Sequence, residues 1–208
     1  MFPKEGEKVP EIRFPGFEGE WEEKKLGDVV KFYNGLTYTP DDVQDNGTLV
    51  LRSSNVKNGE LINADDVYVN SAIVNSQNVQ KGDVIVVVRN GSRALIGKHA
   101  LIHQDMPDTV IGAFMTGIRS EHAYFINALL DTPQFAKEIR MNMGATINQI
   151  TGYMFSSMSF RMPSNKEQTI IGNYFVALDT AITYHERKCE EARELKKYML
   201  QNMFPKEG

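Results

Sequence analysis

SNKEQTIIGNYFVALDTAITYHERKCEEARELKKYMLQNMF, residues 164–204, is the stretch on which the fold turns. Its first four residues, after Pro163, have the form of a capping box. In that motif the Ser164 hydroxyl takes the Glu167 amide and the Glu167 carboxylate reaches back to the start of the helix. From there to Met203 the sequence has no proline, and Gly172 is the only glycine. Ile171, Phe175, Leu178 and Ile182 recur at spacings of four, three and four. His185, Cys189 and Ala192 carry the register on more weakly, with Leu195 and Met199 near it. The pattern predicts one continuous helix with a heptad seam, roughly 55 Å long at 1.5 Å per residue. Such a helix outruns any domain that precedes it, so its seam is expected to meet a second long helix.

Upstream, the pattern changes. Residues 21–163 alternate short apolar runs with turn signals. TLVLRSS (48–54) reads as a strand, and Asn58-Gly59 is a strong hairpin dipeptide. In VQKGDVIVVVRNGSRALIGKHALI (79–102), the unbroken β-branched run predicts a buried strand. An exposed turn at Asn90-Gly91-Ser92 and a second strand should follow. IGAFMTGIRS (111–120) and SMSFRMP (157–163) are further strand candidates. Helices are predicted over about 122–130 and, opened by Thr132-Pro133, over about 133–141. GATINQITG (144–152) reads as a loop, and residues 1–20, with three prolines and several glycines, as an irregular lead-in. The class is α+β: a globular domain over 21–163, then a long helix over 164–204.

The composition is that of an ordinary globular chain, at 41% hydrophobic and 24% charged residues. No apolar run approaches the roughly 18 to 20 residues that a membrane-spanning helix needs. A single cysteine, Cys189, rules out an intrachain disulfide framework and points to a reducing cytoplasm. The net charge of −4 does not favour a nucleic-acid coat, but local basic surface decides binding. Residues 1–31 are rich in acids, whereas Val84 to Gln104 hold Arg89, Arg93 and Lys98 with no Asp or Glu.

The hexapeptide MFPKEG stands at residues 1–6 and again at 203–208. One copy completes the helix pattern and the other runs into the lead-in. The arrangement suggests one unit of a tandem repeat, cut so that the junction shows at both ends. PEIRFPGFEGEWEEKKLGDV, LRSSNVKNGEL, the 79–102 stretch, and MPSNKEQTIIGNYFVALDTAI ending in ELKKYMLQNMF carry a resemblance in their order and spacing. With Pro163, Glu167, Gln168 and Asp179 in matching places, the chain resembles the DNA-specificity subunit of type I restriction-modification systems. That resemblance implies a target recognition domain, here residues 21–163, and a spacer helix. It also implies two such halves whose helices pack antiparallel as a coiled coil and set the distance between two DNA half-sites. The implied partners are double-stranded DNA, a modification subunit that uses S-adenosylmethionine, and a restriction subunit that uses ATP with Mg. No cofactor is implied for this chain itself. It is either a natural half-length subunit that must homodimerise or an excised half.

Base readout needs bidentate or amide side chains on loops that reach a groove. Three loops supply them. Arg52, Asn55, Arg89, Asn90, Arg93, Asn148 and Gln149 are candidates for bases, and Ser53, Lys57, Ser92, Lys98 and Thr146 for phosphates. Other chemistries fit poorly. RNGSRALIGKH has one residue too many between its glycines for a phosphate-binding loop, and His99 follows Lys98. His99 and His103 do not share a helical face, which weakens a metal reading. Cys189 with His185 would place a nucleophile inside a helix seam that offers no substrate cleft. His185 there suits a register-setting role. The contrasting reading is a non-catalytic coiled-coil interaction protein that does not bind DNA.

Overall fold

The computed structural model describes residues 1–143 and 147–204. Strand β1 (Glu22–Lys25), a one-turn helix α1 (Leu26–Val29) and β2 (Lys31–Asn34) come first. Short strands follow: β3 (Val43–Gln44), β4 (Thr48–Leu51), β5 (Val56–Lys57), β6 (Glu60–Leu61) and β7 (Val67–Val69). Next come β8 (Val84–Val87), β9 (His99–Leu101), β10 (Thr109–Ile111) and β11 (Met115–Arg119). Helices α2 (Ala123–Leu130), α3 (Pro133–Asn142) and α4 (Gly152–Ser157), strand β12 (Ser159–Met162) and α5 (Asn165–Asn202) complete the order.

The antiparallel sheet β2-β11-β8-β9 is the centre of the core. All four residues of β8 are buried, as an unbroken β-branched run requires. A second sheet, β10-β4-β7-β3, joins β10 to β4 in parallel. β1 pairs with β12, tying the start of the domain to the strand that leads into α5. In β11, Gly117 lies opposite Tyr33. A Cβ there would sit 2.0 Å from the Tyr33 ring, so glycine makes room for the aromatic. The Tyr33 hydroxyl donates to Asp83 at 2.8 Å, and Arg119 grips the same carboxylate at 2.8 and 2.7 Å. Burial, then the Asp83 charge, holds the Tyr33 phenol far above its usual pKa.

Most predicted elements form, with several differences, among them the 111–120 strand, which a turn splits between β10 and β11. The strand predicted over 48–54 stops at Leu51, because Ser53–Asn55 turn into a short 3-10 helix. The 79–102 hairpin likewise contains a 3-10 turn at Arg93–Leu95 before β9. Helix α4 fills the gap between the predicted loop and strand, started by Thr151, whose hydroxyl accepts from the Met154 amide. The capping box at 164–167 is only half made. The Ser164 hydroxyl accepts from the Glu167 amide at 3.4 Å, but the Glu167 carboxylate turns away to Arg13. The lead-in has no helix or strand before Glu22, yet it is packed. Phe2 lies against Trp21, Phe125 and Phe175, and Phe14 against Tyr174.

The heptad positions divide. Ile171 is 2% exposed and packs in the chain's own core, where α5 crosses α2 at Gly172. Phe175 is partly buried on the same core. These two are satisfied within the chain and are not available to a partner helix. Leu178, Ile182, His185, Cys189, Ala192, Leu195 and Met199 are exposed, Ile182 at 55%. The seam free to meet another helix therefore begins at Leu178. No helix among the described residues is long and apolar enough to cross a membrane.

Candidate nucleic-acid interface

Two of the three predicted loops meet through a third. Arg52 and Ser53 lie after β4; Arg89 to Lys98 connect β8 to β9; Asn148 and Gln149 precede α4. The Asn90 amide donates to the Ser53 hydroxyl at 3.0 Å, and the Lys98 ammonium to the Ser53 carbonyl at 3.2 Å. The Asn148 amide donates to the Gly91 carbonyl at 3.0 Å, and Arg89 bridges Gln149 in antiparallel fashion. Residues 37 to 57 positions apart in sequence thus form one polar, locally basic surface. Each bond restrains a loop that would otherwise lose more entropy on meeting a ligand.

The individual candidates differ in what they can still contact. Arg89, Ser92 and Arg93 are exposed, and the Ser92 amide donates to the Asn90 side chain in an Asx turn. Arg93 also reaches the Met143 carbonyl at 3.4 Å, and Arg52 donates to the Asp65 carbonyl. Asn55 is displaced from the interface. It is 1% exposed, accepts from the Arg52 amide and donates to Ala64 and Asp66, all at 2.9 Å. Its polar groups hold the 52–66 loop together, so none faces a base. Lys57 also leaves the group. It sits on the β5–β6 hairpin, whose tip takes positive φ at both Asn58 and Gly59, and lines a cleft toward α5 with Glu60, Asp179 and Glu186. Thr146 lies outside the described residues.

That cleft, about 750 Å³, carries a partly desolvated carboxylate. Burial, followed by the charges of Asp131 and Glu60, raises the Asp179 pKa, with His103 opposing. His99 is buried, its Nδ1 3.0 Å from the Gly97 carbonyl and its Nε2 3.4 Å from Asp131, whereas His103 is exposed beside Glu60. Among the described residues no group of three or more His, Cys, Asp or Glu side chains is placed to hold a metal. Cys189 and His185 lie on the exposed helix.

Sequence reading missed Phe114. It projects 53% exposed from the turn between β10 and β11, and the Arg89 guanidinium lies over its ring at 5.0 Å from the centroid. The run IGAFMT gives no sign of this, since apolar residues of this kind in a strand candidate read as core.

The sequence matches the family described as the type I restriction modification DNA specificity domain over residues 18–194. It is similar to the type I restriction enzyme StySPI specificity subunit of Salmonella potsdam, at 26% identity over 187 residues, 85% of this chain and 40% of that protein. It is similar also to the type I restriction enzyme EcoKI specificity subunit of Escherichia coli (strain K12), at 27% identity over 172 residues, 78% and 36% of the two chains. In fold it resembles the HsdS subunit from Thermoanaerobacter tengcongensis, with a TM-score of 0.60 at 17% identity, covering 98% of this chain and 47% of that one. The chain spans less than half the length of each of these relatives.

Proposed function

This chain belongs to the type I restriction-modification DNA specificity family, and from that premise we propose that it reads one half-site of a bipartite double-stranded DNA target. Residues 21–163 act as the target recognition domain, 1–20 as the lead-in and 164–204 as the spacer helix. The carrying observation is the convergence of the Ser53, Asn90–Lys98 and Asn148 loops on one surface. It presents arginine and amide groups, the side chains suited to base edges, beside hydroxyls suited to phosphates.

In this reading the chain supplies address and spacing without chemistry of its own. A modification subunit contributes S-adenosylmethionine, and a restriction subunit contributes ATP and Mg. The exposed seam from Leu178 to Met199 packs antiparallel on a second helix, from another copy or another half. The single exposed cysteine suits the reducing cytoplasm where such a complex would work.

The test is methylation-sensitive sequencing of DNA from cells carrying this chain with its modification subunit, and from cells lacking only this chain. A bipartite palindromic motif that disappears without the chain supports a homodimeric reader. An asymmetric motif assigns it to work beside a different half. Absence of any chain-dependent motif overturns the reading.

A further inference from the structure

The interface contains three arginines, and they are not equivalent. Arg52 gives a guanidinium N–H to the Asp65 carbonyl, and Arg93 gives one to the Met143 carbonyl. The Arg89 guanidinium makes no hydrogen bond or ion pair among the described residues. It is laid instead on the face of Phe114. The backbone beneath it is held on both sides. The Val88 and Arg89 amides both donate to the Phe114 carbonyl, at 3.0 and 3.1 Å, and the Ile150 amide donates to the Val88 carbonyl at 2.9 Å. Phe114 exposes more than half its surface and so contributes little to the core, although its backbone anchors the turn.

Resting on the DNA-reading proposal above, we infer that Arg89 is the guanine-reading side chain of this half-site and that Phe114 is its positioning residue. A guanidinium held over an aromatic ring is restrained by the cation–π attraction while its N–H groups remain open to a ligand. Those groups match guanine O6 and N7 in the major groove, the commonest specific arginine contact. Stacking immobilises a long side chain before DNA arrives, which reduces the ordering cost on binding. Arg52 and Arg93 each already direct one N–H at a backbone carbonyl, which restrains where their remaining donors point.

The test uses the chain assembled with its modification subunit and a duplex carrying the motif found by methylation sequencing. Each guanine of the half-site is replaced in turn by 7-deazaguanine, which lacks the N7 acceptor. The wild type should lose affinity at one guanine by a factor of about 5, the lower end of the range for a bidentate pair, because the O6 bond remains. Arg89→Ala removes both bonds, so it should lose a larger factor, up to about 150, on unmodified DNA and nothing more when that guanine is replaced. Phe114→Ala should lose part of it at the same guanine, with an unchanged salt slope, and Phe114→Tyr should recover it. Thermal melting of each variant excludes misfolding, a loss that would not map to one base.

Additive effects of Arg89→Ala and 7-deazaguanine at every position would overturn the inference. So would a uniform loss with a salt slope reduced by about one, which marks a phosphate contact. A half-site without guanine would overturn it while leaving the DNA-reading proposal intact. Equal binding of motif and scrambled DNA by the wild type would overturn both.

Discussion

Arg13 holds Glu167 across 154 residues through two hydrogen bonds of 2.8 Å, from Nε and Nη2 to the two carboxylate oxygens. The same guanidinium donates to the carbonyls of Glu18 and Gly19. One arginine thus fastens the lead-in to the first turn of α5, at a carboxylate that is 1% exposed. The pair holds the Arg13 pKa above its usual value, chiefly through the bond to Glu167.

Breaking this pair should be costly. Arg13→Ala leaves a buried carboxylate without its partner, and removing one member of such a pair costs about 3–5 kcal/mol. Urea denaturation should show a lower midpoint for Arg13→Ala. The double variant Arg13→Ala with Glu167→Gln should recover part of the loss, because no buried charge is stranded. Equal midpoints for wild type and Arg13→Ala would refute the clamp.

Gly172 is the contact point between α5 and α2. A Cβ there would meet the Phe125 amide nitrogen at 2.6 Å and the Tyr124 Cβ at 2.8 Å. Alanine gains about 1 kcal/mol of helix propensity, but overpacking costs about 1–3 kcal/mol. The nearest atom is backbone and cannot rotate aside, so the clash should win. Gly172→Ala is expected to lower Tm, and a raised Tm would show that the helices separate easily.

Asp179 makes stability depend on pH in a defined direction. Its pKa in the folded chain is raised above the ordinary 3.8, so the folded state binds this proton more tightly than the unfolded state. Folded-state stability from this group is present at low pH and is lost as pH rises through the folded pKa. Asp179→Asn should therefore melt at a higher temperature than wild type at neutral pH. The advantage should shrink as the buffer is brought below the normal carboxylate range. An advantage that grows in acid would contradict the assignment.

The seam is tested where it is free. Leu178 and Ile182 are exposed, so Leu178→Asp with Ile182→Asp should leave the domain's melting unchanged. If the helix pairs as proposed, light scattering should find monomers and chain-dependent methylation should cease. Dimers that survive the double change would place the partner surface elsewhere.

Local pattern revealed much of this molecule. The buried run at Val84–Val87, the Asn58-Gly59 hairpin, the proline-started α3 and the unbroken α5 each follow from chemistry within a few residues. The candidate loops are visible as arginine, asparagine and serine clusters, because exposed loops carry such groups. Which member of a cluster remains free was not visible. Asn55 and Asn90 have the same side chain. One is consumed by the 52–66 loop, whereas the other binds Ser53 from a loop 37 residues away.

The sequence by itself determined many of the elements, the class and the length of the helix, since periodicity, caps and turn residues act over short distances. Only the tertiary structure decided how the positions are used. It buried Ile171 and left Ile182 bare on one seam, gave Glu167 to Arg13 instead of to its own helix, and stacked Arg89 on Phe114. The physical reason is the same each time. Burial and partnership depend on which distant segments meet, and residues in contact can be far apart along the chain.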